Sequence, residues 1–197
     1  MSESLFLTAA VVVARPRLRA YLRAPVTPAS GWSHQQWTGL TETQTQTQAL
    51  LDRDELPAAI QECDRWIDGD YATVFRDLAD DDELLFRFDE ATGSLAVDFS
   101  TRVDFRLPST VWACTVLRGI AGFLAAGEHG LVTVTADWSD DAVLLRLAPD
   151  HSAFLDRDRD ARARTQARAQ EIDIRAAACD ADQPGTAAEV VDWLLDD

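Results

Sequence analysis

LAVDFSTRVDFRL, residues 95–107, is the stretch whose reading decides the fold. Its odd positions are Leu95, Val97, Phe99, Thr101, Val103, Phe105 and Leu107, and its even positions are Ala96, Asp98, Ser100, Arg102, Asp104 and Arg106. Strict alternation over this length marks an extended chain with one face in a core and the other in water. The run is either one long strand or two strands joined by a bend near residues 100–102. Upstream, Leu84, Phe86 and Phe88 alternate with Leu85 and Arg87, and residues 89–93 form a turn that ends in Gly93. Downstream, Pro108 closes the run. A helix follows, capped by Ser109 or Thr110, with Trp112, Val116, Ile120, Phe123 and Leu124 on a broad apolar face. Gly119 and Gly122 lower its helix propensity by about 1 kcal/mol each relative to alanine, a cost usually offset by close packing against a neighbour. Two more alternating runs, 131–138 and 142–147, flank a turn at 139–141. Hairpin, helix, hairpin is therefore the expected core, with Phe99, Phe105, Trp112 and Ile120 buried in it.

The flanks extend this core. Residues 5–13 end in Val11, Val12 and Val13, which suggests a buried strand, with a core helix as the alternative. Arg15, Arg17, Arg19, Tyr21 and Arg23 alternate with Leu18, Ala20 and Leu22, so an edge strand carrying four guanidiniums in a row is expected after Pro16. Those arginines are expected to pair with the acidic surface of the same chain; an anion or partner site is the alternative. From residue 25 to 48 the hydrophobic period is lost, and residues 41–48 read TETQTQTQ, a solvated edge strand or a loop. Trp32 and Trp37 stand in this polar stretch, as packed anchors or, less expected, as ligand-stacking rings. Asp54, Glu55 and Pro57 open a helix with Leu56, Ile60, Cys63 and Ile67 on one face, and a second short helix over 70–79 turns Tyr71, Val74, Phe75 and Leu78 inward. After Pro149 the chain reads as a solvated helix with internal ion pairs. Thr186 and Glu189 then form a capping box for a terminal helix that docks on its own core or on another chain.

A chain of 197 residues buries roughly 70% of its unfolded surface and needs no disulfide or metal to hold a core. The expected organisation is an N-terminal strand region and polar loop over 1–53, an α+β core over 54–149 and C-terminal helices over 150–197, all within one domain. Every basic residue is an arginine, as expected of coding in a GC-rich bacterial genome. Residues 1–50 carry four arginines against Glu3 and Glu42, and residues 51–197 carry fourteen arginines against thirty-two acids. Such acidity disfavours nucleic acid, whose phosphates need a basic face. The run at 5–14 is too short to span a bilayer, and Ser2–Glu3–Ser4 before it lacks the positive charge of a signal peptide, so no membrane association is expected. Cys63, Cys114 and Cys179 are odd in number and far apart, which suits a reducing cytoplasm.

The chain has no phosphate-binding glycine loop, no nucleophile elbow and no paired-cysteine metal motif, so no catalytic residue, metal or cofactor is assigned. Asp156, Asp158 and Asp160 copy the start of a calcium loop, but Ala161 and Ala167 stand where glycine and a bidentate glutamate are required. The densest acidity lies in residues 52–90, fourteen acids against four arginines. Within it, Asp77, Asp80, Asp81, Asp82, Glu83, Asp89 and Glu90 crowd the first hairpin and are the candidate partner-binding residues. The expected fold is α+β, an antiparallel sheet built on a hairpin–helix–hairpin core with helices packed on one face. Small modules of that order occur in secretion chaperones and toxin-neutralising immunity proteins, an analogy of architecture alone. The expected function is an acidic protein-binding module, inhibitor-, immunity- or chaperone-like, docking a basic protein partner. The alternatives are a small-molecule-binding domain or enzyme with a site near Trp32 and Trp37, and a homo-oligomeric subunit assembled through residues 186–197.

Overall fold

The strand at the centre of the molecule is the first one, β1 (Ser4–Val12), and the two hairpins lie on either side of it. The computed structural model describes residues 4–42, 53–80, 84–102, 106–136, 139–181 and 185–196. β2 (Leu85–Asp89) and β3 (Ser94–Arg102) form the first hairpin, β4 (His129–Ala136) and β5 (Ser139–Ala148) the second, and β6 (His151–Phe154) adds an edge. The sheet order is β2-β3-β1-β4-β5-β6, antiparallel throughout. Both β3 and β4 run antiparallel to β1 and hence parallel to each other. The helix between them, α5 (Arg106–Arg118), is the crossover that carries the chain over β1.

Register explains which face is the core. Leu7 lies opposite Phe99 and Val134, and Ala9 opposite Val97 and Val132. The odd residues of β1 therefore share a face with the odd residues of β3, and Leu5, Leu7, Ala9, Val11, Leu95, Val97 and Phe99 are all buried. Helices α1 (Arg15–Leu22), α2 (His34–Glu42), α3 (Leu56–Trp66), α4 (Tyr71–Asp80), α5 and α7 (Ala187–Leu195) cover that face, and the cluster they close draws on residues from Leu5 to Leu194. The fold is α+β, as the alternation predicts. A single long helix, α6 (Ala161–Asp180), lies across the opposite face. It faces Thr8, Ala10, Ala96 and Thr133, small side chains that let it come close.

Several local expectations are corrected. Residues 15–22 are a helix and not an edge strand, because Leu18, Tyr21 and Leu22 make a buried stripe at helical spacing. Pro16 sits in the first turn, where its missing N–H leaves no bond unmade. Polar residues 34–42 also form a helix, anchored by Trp37 and Leu40. The alternating run ends as a strand at Arg102, and α5 starts at Arg106, ahead of the expected caps Ser109 and Thr110, so Leu107 is a buried helical residue. Phe99 and Ile120 are buried and Trp112 is half-buried, while Phe105 lies outside the described residues. Ser139, Asp140 and Asp141 belong to β5 rather than to a turn. The C-terminal region is not merely solvated: α6 buries Ala167, Glu171, Ile174 and Ala178 at every third or fourth position.

Two glycines do what a side chain could not. Gly93 closes the first hairpin at φ +69, with the Val13 carbonyl 2.9 Å from where a Cβ would sit. A Cβ on Gly119 would lie 1.9 Å from the Tyr71 hydroxyl, so this glycine admits the aromatic layer of Tyr21, Tyr71 and Phe75 against the end of α5. Gly122 is exposed with nothing near it, and the helix has by then tightened into a 3-10 turn over Gly119–Phe123.

Candidate functional site

The two tryptophans singled out by composition come together around one side chain. The guanidinium of Arg118, at the end of α5, is 4.5 Å from the Trp37 ring, 4.6 Å from Trp32 and 5.7 Å from Phe154 of β6. Trp32 stands edge-on to Trp37 with centroids 6.1 Å apart, and the Trp37 indole N–H donates to the Ala29 carbonyl at 3.0 Å. Arg118 is 1% exposed and Trp37 is fully buried. Its Nε and Nη2 donate to the Ser152 hydroxyl at 3.1 and 2.9 Å, while Nη1 has no hydrogen-bond partner among the described residues. Burial pulls the guanidinium pKa down to about 10, so the group still carries its charge at neutral pH.

A caged cation of this kind ordinarily marks a ligand site, because aromatic faces attract cations. Here the cation is the chain's own. The space between the indoles is filled by Arg118, and the aromatics tie α2, α5 and β6 into one layer. Trp37 lies in the core, and Trp32 packs against it half-buried. Neither residue's partner was visible in the sequence, since Arg118 reads as an ordinary basic residue in the last turn of a helix.

The arginines of α1 are also occupied. Arg15, Arg19 and Arg23 recur every fourth residue and form one stripe, which reaches the C-terminal end of α7. Arg15 donates to the Trp193 carbonyl at 2.9 Å, Arg19 to those of Leu194 and Asp196, and Arg23 to that of Leu195 at 2.6 Å. Cations belong at this end of a helix, where unpaired carbonyls concentrate negative charge. Arg15 also lies over the Trp193 ring and pairs with Glu90. Arg17 pairs instead with Glu128, whose carboxylate accepts from the backbone N–H groups of Ala14 and Ala125. Partial burial of Glu128 works against ionisation, but those N–H donors and Arg17 win and hold its pKa below the usual carboxylate range. α7 has the capping box expected of Thr186 and Glu189, and Val190, Val191 and Leu194 are buried in the chain's own core. Trp193 of the same helix stays exposed.

The acidic candidates separate into different roles. Asp77 is exposed on α4. Asp89 accepts from the Ala91 and Thr92 N–H groups and the Thr92 hydroxyl, bonds that shape the hairpin turn and lower its pKa. Glu90 is held by Arg15. The side chain of Asp80, and Asp81, Asp82 and Glu83 entirely, lie outside the described residues. Asp156 and Asp160 form the turn into α6 by accepting backbone N–H groups.

Among the described residues, no group of three or more histidine, cysteine, aspartate or glutamate side chains is placed to hold a metal ion, and no helix is long and apolar enough to cross a membrane. Cys63 and Cys114 are buried, and desolvation pushes both thiols up to about 12, which leaves them without nucleophilic character. No protein-family model, no curated protein and no solved structure matches the chain.

Proposed function

We propose that the chain is an acidic protein-binding module that docks a basic protein partner through surface carboxylates, as an inhibitor, an immunity protein or a chaperone does. The observation that supports this function is where the arginines go. Arg19, Arg23, Arg87 and Arg164 donate to backbone carbonyls of their own fold, and Arg118 is buried in its aromatic cage. These cations hold elements together and do not offer themselves to an outside anion. The formal charge of −16 therefore meets the solvent largely as carboxylate, with Asp77 exposed beside the sequence's densest acidic run. Such a field speeds encounter with a basic partner and rejects acidic ones.

The test is capture from source cells on the immobilised protein. The expected result is a basic protein retained at low salt and released at about 1 M salt, where the Debye length is near 3 Å. Retention of an acidic or neutral protein, indifferent to salt, would count against carboxylate docking.

A further inference from the structure

On the face covered by α6 lies a groove that plays no part in the acidic surface or the arginine cage. It is a cavity of about 230 Å³ between α6 and the adjoining ends of β4 and β5. Leu131, Ala148 and Ile174 give it apolar walls, and Arg146 and Gln170 supply polar groups at the rim. Leu131 and Arg146 are paired directly across the two strands, and alternation along β5 puts Arg146 on the same face as Leu144, which packs with Ala167 of α6.

Arg146 differs from its neighbours on α6. Arg164 donates to the Leu155 and Ala142 carbonyls, Arg168 binds Glu171, and Arg175 forms a two-bond pair with Asp98. Arg146 is exposed and makes no hydrogen bond or ion pair among the described residues, in a chain with thirty-four acids. Glu171 lines the same cavity, but its oxygens are taken by the Thr8 hydroxyl at 2.9 Å and by Arg168 at 2.7 Å. The acid of the wall is thus compensated, and the cation is left over.

We propose that this groove binds a small monocarboxylate with an apolar tail. A guanidinium at the rim matches a carboxylate with two parallel hydrogen bonds, and Leu131, Ala148 and Ile174 take the hydrocarbon. At about 30 Å³ of liquid per water, the cavity holds the equivalent of about eight waters, the size of a ligand with about eight non-hydrogen atoms.

Hexanoate is a suitable probe, titrated into the full chain and followed by amide NMR and calorimetry. The expected result is saturable one-to-one binding, with the largest shifts at Leu131, Arg146 and Gln170, and no binding of hexylamine. Arg146→Gln should weaken hexanoate at least about tenfold, the effect of losing a charge-assisted pair. Ala148→Phe should abolish binding by filling the cavity. Should that variant fail to fold, the Arg146→Gln result decides alone, because it replaces an exposed side chain. Absence of saturable hexanoate binding, equal binding by Arg146→Gln, or equal binding of hexylamine would each overturn the proposal.

Discussion

Replacing Ser152 with alanine should destabilise the protein more than replacing the buried arginine it serves. The Ser152 hydroxyl accepts from both Nε and Nη2 of Arg118, and both residues are buried. Removing it strands two N–H groups of a buried cation, at about 1–3 kcal/mol each, so a loss of about 2–6 kcal/mol is expected. Arg118→Met instead removes the charge. Its pKa, pulled down to about 10, corresponds to roughly 3 kcal/mol of unfavourable desolvation at about 1.36 kcal/mol per pH unit, and the unbonded Nη1 adds to that cost. Against this stand the lost ring contacts, about 2 kcal/mol for each of the two indoles at close range. These terms nearly cancel, and the methionine variant should fall within about 1–2 kcal/mol of the wild type. The double variant should then recover part of the Ser152→Ala loss, a coupling of about 2 kcal/mol. Urea melts with unchanged slope measure all three. A Ser152→Ala loss below about 1 kcal/mol, or a larger loss for Arg118→Met than for Ser152→Ala, would refute the account of a charge held by a single acceptor.

Thiol chemistry should separate the cysteines: at about pH 8 a disulfide reagent should modify exposed Cys179 promptly, and Cys63 and Cys114 only on unfolding. Because both buried thiols titrate near 12 when folded and near 9 when unfolded, the unfolded chain sheds their protons first, so stability should fall as pH rises from 9 towards 12. Burial raises the Tyr21 pKa as well and adds a loss of the same sign, so a flat alkaline stability profile would contradict the burial of all three. Leu194→Ala should cost about 2–5 kcal/mol, since Leu194 is fully buried where α7 meets α4, β2 and α1, and should leave the mass seen by light scattering unchanged. Conversion of an oligomer into a stable monomer by this change would instead make α7 an assembly element.

Elements whose period and punctuation agreed were legible in the sequence. The first hairpin has alternating β2 and β3 with a glycine at positive φ between them, and α7 has its capping box before an apolar stripe. Residues 15–22 satisfied two periods at once. The arginines alternate like a strand, while Leu18, Tyr21 and Leu22 keep helical spacing, and burial of those three on the core settles the competition. β6 was missed because four residues, His151–Phe154, are too few for a periodic signal and gain their pairing from β5. α6 looked solvated because its buried stripe is alanine, glutamate and isoleucine. What makes it a packing face is the small-residue surface of strands far away in sequence. At the aromatic cage, the two tryptophans stood out in a polar stretch, but Arg118, Ser152 and Phe154 join them only through tertiary contact.

The most direct test of carboxylate docking is the association rate constant of the captured basic partner, followed by stopped flow as salt is raised. The wild type should associate fast at low salt, at least about tenfold faster than at about 1 M, where charges are screened beyond about 3 Å. If these acids serve docking rather than packing, a variant carrying Asp77→Ser, Asp80→Ser, Asp81→Ser, Asp82→Ser and Glu83→Ser should melt within about 1 kcal/mol of the wild type. It should associate several-fold more slowly at low salt and converge on the wild-type rate at high salt. Equal rates for the two proteins at low salt would contradict the account and reduce this acidity to solvation.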